Sequence, residues 1–217
     1  MSKNKIASII LAAGRGRRMG LPKALLSWRG ATFLEHLVQI QHNAGIRDFV
    51  IVVLPSHLEQ LQQGCYPLEP LELEEGSSLS ITWVVGDPEE EQFTSLQRGV
   101  QRLSDLSWDA VLAGPVDQGP YAEAIIEALS DRQQDKDAFA WVPTFEEKWG
   151  HPVLLSKSCI RTLPKSHEQG LRGFFLDHAS SLEFVPVPFP EILRNLNTPD
   201  AFASFLEETG EPLPPTL

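Results

Sequence analysis

Cysteine is scarce, with Cys65 and Cys159 the two thiols in 217 residues. Two are too few for a disulfide framework and they show no CxxC spacing for zinc, so they read as ordinary reduced thiols of a cytoplasmic protein. No run approaches the roughly 18 consecutive apolar residues that a membrane helix needs. The short apolar run at 6–13 leads into glycines and arginines instead of a cleavage site, so neither secretion nor a membrane partner is expected. Positive charge is in deficit, 18 Lys and Arg against 29 Asp and Glu for a net charge of −11, which argues against a nucleic-acid partner. The 42% hydrophobic and 22% charged fractions are those of an ordinary globular chain and exclude global disorder. A domain of roughly 100–200 residues or a little more accounts for the length. Residues 1–209 are expected to form it, and 210–217, with three prolines, to fray.

Acid is missing altogether from one place. Residues 1–34 hold seven of the 18 basic side chains and none of the 29 acidic ones. An acidic body with one concentrated cationic segment can focus a small polyanion such as a nucleotide onto that segment. A solvated basic surface is the alternative that charge alone leaves open.

Short apolar runs alternate with amphipathic stretches, the pattern of a sheet covered by helices. Residues 5–12 (KIASIILA) and 48–54 (DFVIVVL) read as buried parallel strands. Between them 32–43 places Phe33, Leu34, Leu37 and Val38 on one helical face, with Thr32 and Glu35 at capping-box spacing. Further strands are expected at 80–85, 108–113, 138–142, 151–155 and 182–187, and helices at 56–63, 92–103, 119–130, 171–178 and 200–207; 67–78 reads as an exposed acidic connection. The fold class is therefore α/β: a single-domain, Rossmann-like, mostly parallel sheet with helices on both faces.

The most informative segment is Leu11-Ala12-Ala13-Gly14-Arg15-Gly16-Arg17-Arg18-Met19-Gly20-Leu21-Pro22-Lys23, which follows the first strand where doubly wound sheets bind ligands. Its small residues let the backbone approach a ligand and turn amides toward phosphate oxygens, while Arg15, Arg17, Arg18 and Lys23 can neutralise phosphate charge. Neither familiar phosphate loop fits. The glycines fall at 14, 16 and 20 with Pro22 interrupting, and Lys23 precedes Ala24, not Ser or Thr.

From Ile9 to His36, LAAGRGRRMGLPKALL followed by GATFLEH resembles the N-terminal signature of the molybdenum-cofactor-type nucleotidyltransferases, the molybdopterin guanylyl- and cytidylyltransferases and their relatives, of nucleotide-diphospho-sugar transferase-like fold. The resemblance implies a loop wrapped around a triphosphate, with Arg18 and Lys23 catalytic and Leu11, Ala12, Ala13, Gly14, Arg15, Gly16, Asp87 and Ser95 binding the nucleotide. It implies Mg²⁺ as cofactor, and the Ala12-Ala13-Gly14 form looks more like the cytidylyl than the guanylyl enzymes, favouring CTP over GTP.

Asp117 follows the apolar run 108–113, and a carboxylate at the carboxyl end of a buried strand can hold Mg²⁺, although Asp before Gln118-Gly119-Pro120 also suits a turn or cap. The family's Asp-Gln-Pro triplet resembles this segment and makes Asp117 a metal ligand and catalytic residue. His151 in Gly150-His151-Pro152 resembles the family's acceptor-side segment and Arg172 in Gly170-Leu171-Arg172 its Gly-x-Arg element, so both are expected on the acceptor side; a histidine beside proline can equally pack or cap. Asn195-Leu196-Asn197-Thr198-Pro199 resembles the motif before the terminal helix, with Asn197 in place of the usual Asp, a neutral and weaker second metal ligand. The second departure is Asp87-Pro88-Glu89-Glu90-Glu91, where three glutamates would be unfavourable beside a triphosphate unless they face solvent or share the metal. The function expected is NMP transfer from an NTP to a small anionic acceptor such as molybdopterin, releasing pyrophosphate. The alternatives are a sugar- or polyol-phosphate nucleotidyltransferase, or a nucleotide-binding maturation factor with a molybdoenzyme as partner.

Overall fold

The computed structural model describes residues 5–14, 16, 18–20, 22–62, 79–103, 107–135, 137–163 and 167–212. The expected connection at 67–78, Cys65, Arg15 and Arg17 lie outside them. Strand β1 (Ile6–Ala12) leads through the glycine loop to a 3₁₀ turn at Lys23–Leu25, a hairpin of β2 (Ser27–Trp28) and β3 (Ala31–Thr32), and helix α1 (Phe33–Asn43). The hairpin was not expected; Arg29 and Gly30 at φ 47° and 80° give the positive-φ pair of a tight two-residue turn. Helix α1 starts where the capping box places it, the Glu35 amide donating to the Thr32 hydroxyl at 3.1 Å and the Thr32 amide to the Glu35 carboxylate at 2.6 Å.

There follow β4 (Asp48–Val53), α2 (Pro55–Gln62), β5 (Ser80–Val85), α3 (Gln92–Arg102), β6 (Ala110–Pro115), α4 (Glu123–Asp135), β7 (Ala140–Phe145), β8 (Lys148–Trp149), β9 (Val153–Ser156), α5 (Lys157–Thr162), α6 (Gly170–Asp177), β10 (Leu182–Pro186) and α7 (Pro199–Thr209). Among the described residues they form an eight-stranded sheet of order β10-β7-β9-β6-β1-β4-β5, with β8 on β7. It is parallel except where β9 runs antiparallel to both β6 and β7 and β8 folds back on β7. One face packs Ile10, Ile51 and Leu112 against Phe33, Ile125 and Phe202 of α1, α4 and α7; the other packs Ile9, Val50 and Val111 against Leu96, Ile160 and Phe174 of α3, α5 and α6. A buried polar chain crosses the first layer: the Ser8 hydroxyl donates to Gln41 at 2.5 Å and the Gln41 amide to the Tyr121 hydroxyl at 3.0 Å. No described helix is long and apolar enough to cross a membrane.

Several expected boundaries move. The helix expected at 119–130 begins only at Glu123, because Gly119 at φ 68° ends a 3₁₀ turn over Val116–Gln118 and Pro120 follows. The strand expected at 151–155 begins at Val153, after the cis His151–Pro152 peptide. Helix α5 was not expected; it is short and capped by Ser156, which accepts from the Cys159 amide. The start of the expected frayed tail is tied down. Gly210 closes α7 in the left-handed conformation, the Glu211 amide donates to the Leu206 carbonyl at 2.8 Å, and the Glu211 carboxylate pairs with Arg29 at 3.1 Å; 213–217 lie outside the described residues.

Candidate active site

The carboxyl ends of β1 and β6 and the start of α3 surround a cleft formed by three adjoining cavities. The Met19 and Gly20 amides donate to the Gly16 carbonyl at 2.8 and 3.0 Å and close a turn. The Met19 side chain, 4% exposed, anchors this turn in the core. Gly16 and Gly20 stand at φ 61° and 72°, where a side chain would be strained. Gly14 is exposed and lines the cleft.

After Pro22, the 3₁₀ turn brings Lys23 across to Asp117, Nζ to Oδ2 at 2.9 Å. Both side chains are largely screened from solvent, 14% and 23% exposed. Lys23, Asp117, Leu11, Ala13, Gly14 and Ser95 line a cavity of about 250 Å³. A neighbouring cavity of about 360 Å³ is lined by Gly14, Gly16, Arg18, Lys23, Glu89 and Asn197. The Leu196 amide donates to the Asp117 carbonyl at 2.8 Å, which ties the chain just before Asn197 to the Asp117 turn. Asn197 also serves the turn: its amide hydrogen-bonds Asn195, and Thr198 caps α7 with Pro199 at the first helical position. Among the described residues no cluster of three or more His, Cys, Asp and Glu side chains could hold a metal. Asp117 and Asn197 offer a carboxylate and an amide oxygen, hard donors of the kind Mg²⁺ takes, and an ion held by so few protein groups would draw its remaining ligands from water and substrate phosphates.

The three glutamates diverge. Glu90 is gripped by Arg98 through two bonds of 2.6 Å, and that hydrogen bonding holds its carboxyl below the usual carboxylate range. Glu89 lines the 360 Å³ cavity, and Glu91, at the N-cap of α3, lines a third cavity. Asp87 lines none of the three; its carboxylate accepts from the Glu89 amide at 2.9 Å and shapes the turn. The Ala12 side chain is buried in the core, so only its backbone can serve the site. Arg15 lies outside the described residues.

The third cavity, about 480 Å³, shares Leu11 and Pro115 with the first and is lined by Trp149, His151 and Arg172 among others. His151 is half-buried, with its Nδ1 shielded and unpartnered among the described residues, and desolvation pushes its imidazole below the ordinary value against an upward pull from Asp117. The Gln118 amide donates to the His151 and Glu191 carbonyls and so ties the Asp117 turn to this wall. Arg172 stands over the Trp149 ring, Cζ 5.5 Å from its centroid.

Sequence reasoning missed Gly86, Gln118 and Trp149. A side-chain carbon at Gly86 would come within 2.7 Å of the Ala13 side chain, so glycine there lets the β5 loop approach the glycine loop; the signal was a glycine ending a strand run before Asp87-Pro88. Gln118 stands in the segment that resembles the Asp-Gln-Pro triplet, which marked Asp117 alone, and nothing local marks the Trp149 side chain.

A family model, the MobA-like NTP transferase domain, matches residues 8–182. The chain belongs to the MobA-like NTP transferase family. Members of this family are nucleotidyltransferases, and the matched span of this NTP transferase contains the glycine loop, Lys23, Asp117, His151 and Arg172. Among curated relatives, "Probable molybdenum cofactor guanylyltransferase" of Bacillus cereus is 40% identical over 60 residues, 28% of this chain and 30% of that protein's length. The protein of the same name from Nostoc is 26% identical over 207 residues, 92% of this chain and 90% of its own. The structure of Rv0371c from Mycobacterium tuberculosis superposes with a TM-score of 0.73 at 21% identity, covering 95% of this chain and 100% of that one. Its complex with manganese gives 0.68 at 19% identity, with the same coverage. At these identities the two structures show a shared fold.

Proposed function

We propose that this NTP transferase moves a guanylyl group from GTP to a molybdopterin-type acceptor in the cytoplasm, with Mg²⁺ as cofactor and pyrophosphate as the second product. The observation that carries this reading is the meeting of Lys23 and Asp117 under a glycine loop at the strand ends, beside a separate cavity large enough for an acceptor. The names of both curated relatives support GTP and a molybdenum cofactor acceptor, whereas Ala12-Ala13-Gly14 on its own points to CTP.

An acceptor phosphate oxygen attacks the α-phosphorus, a new P–O bond forms, and the bond to the bridging oxygen of the β-phosphate breaks, its electron pair leaving with pyrophosphate. Chemistry of this kind needs in-line positioning and charge stabilisation more than a protein nucleophile. Gly14 and Gly16 let the phosphates approach the loop amides. Lys23 exchanges Asp117 for phosphate oxygens and, with Arg18, stabilises the charge that develops on the leaving group. Asp117 and Asn197 would hold the divalent ion, which would supply charge neutralisation when bound. Ser95 at the start of α3 lines the nucleotide side, and Arg172 receives the acceptor's anion while His151 closes the wall between the two substrates.

Calorimetric titration of GTP, CTP, UTP and ATP, with and without Mg²⁺, on the wild type and Lys23→Ala tests this, followed by pyrophosphate release with acceptor. Metal-dependent GTP binding that the variant loses is expected. Preference for CTP corrects the base, turnover with sugar or polyol phosphates alone corrects the acceptor, and binding without pyrophosphate release points to a maturation factor for a molybdoenzyme. Absence of binding to every nucleotide overturns the proposal.

A further inference from the structure

Phe184, on the edge strand β10, is 39% exposed, one of three large apolar side chains exposed among the described residues. Its neighbour is Trp149, with ring centroids 5.1 Å apart and planes at 37°. On Trp149 also lies the Arg172 guanidinium, 5.5 Å from the ring centroid. Residues 149, 172 and 184 come from a hairpin strand, a helix and an edge strand, and they meet at the wall of the 480 Å³ cavity, which both Trp149 and Arg172 line.

The backbone beneath Trp149 is firmly held. Strand β8 pairs with β7, Thr144 opposite Trp149, across a turn whose Glu146 and Glu147 both have positive φ. The Gly150 amide donates to the Pro143 carbonyl at 2.9 Å, and a side-chain carbon at Gly150 would meet Ile192 at 2.6 Å, so this residue sits hard against its neighbour. Arg172 itself is solvent-facing and makes no ion pair among the described residues, although the carboxylates of Glu91 and Glu168 line the same cavity. Arg29, Arg98 and Arg132, in contrast, each pair with a glutamate. An exposed arginine samples many rotamers unless something holds it, and the face of an indole is an attractive surface for a guanidinium.

We infer that Trp149, backed by Phe184, is a positioning residue that holds the Arg172 guanidinium at the cavity wall as the receiver of a phosphate group on the acceptor. This rests on the assignment of that cavity to the acceptor. The edge-to-wall stack also explains why Phe184 stays apolar at an exposed position: it supports the tryptophan, which supports the arginine.

The test uses phenyl phosphate as probe, titrated into the full chain and followed by the Arg172 Nε–H and Trp149 Nε1–H NMR signals. Saturable binding is expected in the wild type and is lost in Arg172→Ala. Trp149→Ala should weaken it by about 3- to 10-fold, the range a cation–π contact supports, and Trp149→Phe should recover most of that loss. Phe184→Ala, at an exposed site whose truncation leaves the core intact, should weaken it about 2-fold and carries the test if Trp149→Ala fails to fold. Affinity for Mg²⁺ and GTP should be unchanged in all three aromatic variants. Wild-type affinity in both Trp149→Ala and Phe184→Ala, no saturable binding by the wild type, or binding that survives in Arg172→Ala overturns the inference. Loss of nucleotide binding by the wild type is a separate result and sinks the nucleotidyltransferase reading instead.

Discussion

Lys23 and Asp117 neutralise each other at 2.9 Å in a site that solvent reaches only partly. Neither charge can be removed alone without leaving its partner in a poorly hydrated place, so each single substitution should destabilise and the pair should couple. Lys23→Met and Asp117→Asn are expected to show a coupling of about 0.5–3 kcal/mol in a double-mutant cycle measured by urea unfolding; additive losses would mean that the ion pair contributes nothing to the fold. The functional consequence is larger. Removing one preorganised charge donor costs about 10²–10³ in rate, so pyrophosphate release should nearly vanish in Lys23→Met while far-UV circular dichroism stays native. Near-normal turnover would remove Lys23 from the mechanism. Glu90 shows how a run of acidic side chains beside the glycine loop is handled: Arg98 takes both of its carboxylate oxygens.

Between residues and the whole, the elements differ in how plainly they are written. Strands β1 and β4 are buried on both faces, so their continuous Ile, Val and Leu runs survive in the sequence, and the capping box of α1 is a local pattern that the structure repeats bond for bond. The direction of β9 is not legible, because a four-residue apolar run encodes burial but not whether its partners run with or against it. The same division runs through the site. The glycine loop, Lys23 and Asp117 lie in short motifs at strand ends, whereas the Arg172, Trp149 and Phe184 stack exists only because the β7–β8 hairpin and β10 bring distant residues together. That hairpin lacks the usual turn chemistry. Glu146 and Glu147 occupy φ 47° and 63°, positions where Asn and Gly are favoured. Left-handed backbone costs a non-glycine residue roughly 1–2 kcal/mol, so Glu147→Gly should raise stability by about 1 kcal/mol, less the extra entropy of the unfolded glycine. A lower unfolding midpoint would show that the Glu147 side chain contributes more than its backbone strain.

For the molecule as a whole, the net charge of −11 and the buried histidines act in opposite directions as the pH falls. Protonation lowers the net negative charge and relieves self-repulsion, which favours the compact state. His42 and His57 work the other way. Burial lowers both imidazoles from their ordinary value of 6.5, with Arg47 adding to the effect at His42 and a hydrogen bond to Ala12 opposing it at His57. A histidine with a depressed folded value stays neutral in the native protein while the unfolded chain takes up the proton. Its contribution is therefore complete above pH 6.5 and is lost as the pH falls from there toward the folded value, by up to about 1.4 kcal/mol per pH unit for each residue. Glu90 and Asp109 also have lowered values, but their contributions fade only below their ordinary values of 4.5 and 3.8. Between pH 6.5 and 5 these two histidines act together with His151, whose imidazole is also lowered by burial, and are opposed by the relief of self-repulsion. Salt separates the two effects, since surface charges are screened over about 8 Å at physiological ionic strength while buried groups are screened far less. In 0.5 M salt (about 0.5 M, above the physiological range) the urea midpoint should fall from pH 7.5 to pH 5.5, and His57→Asn should flatten that slope. A midpoint that is constant or rises over this interval would mean that the unfolded and folded chains bind protons at these histidines equally, and that their burial in the structure does not govern the acid limb of stability.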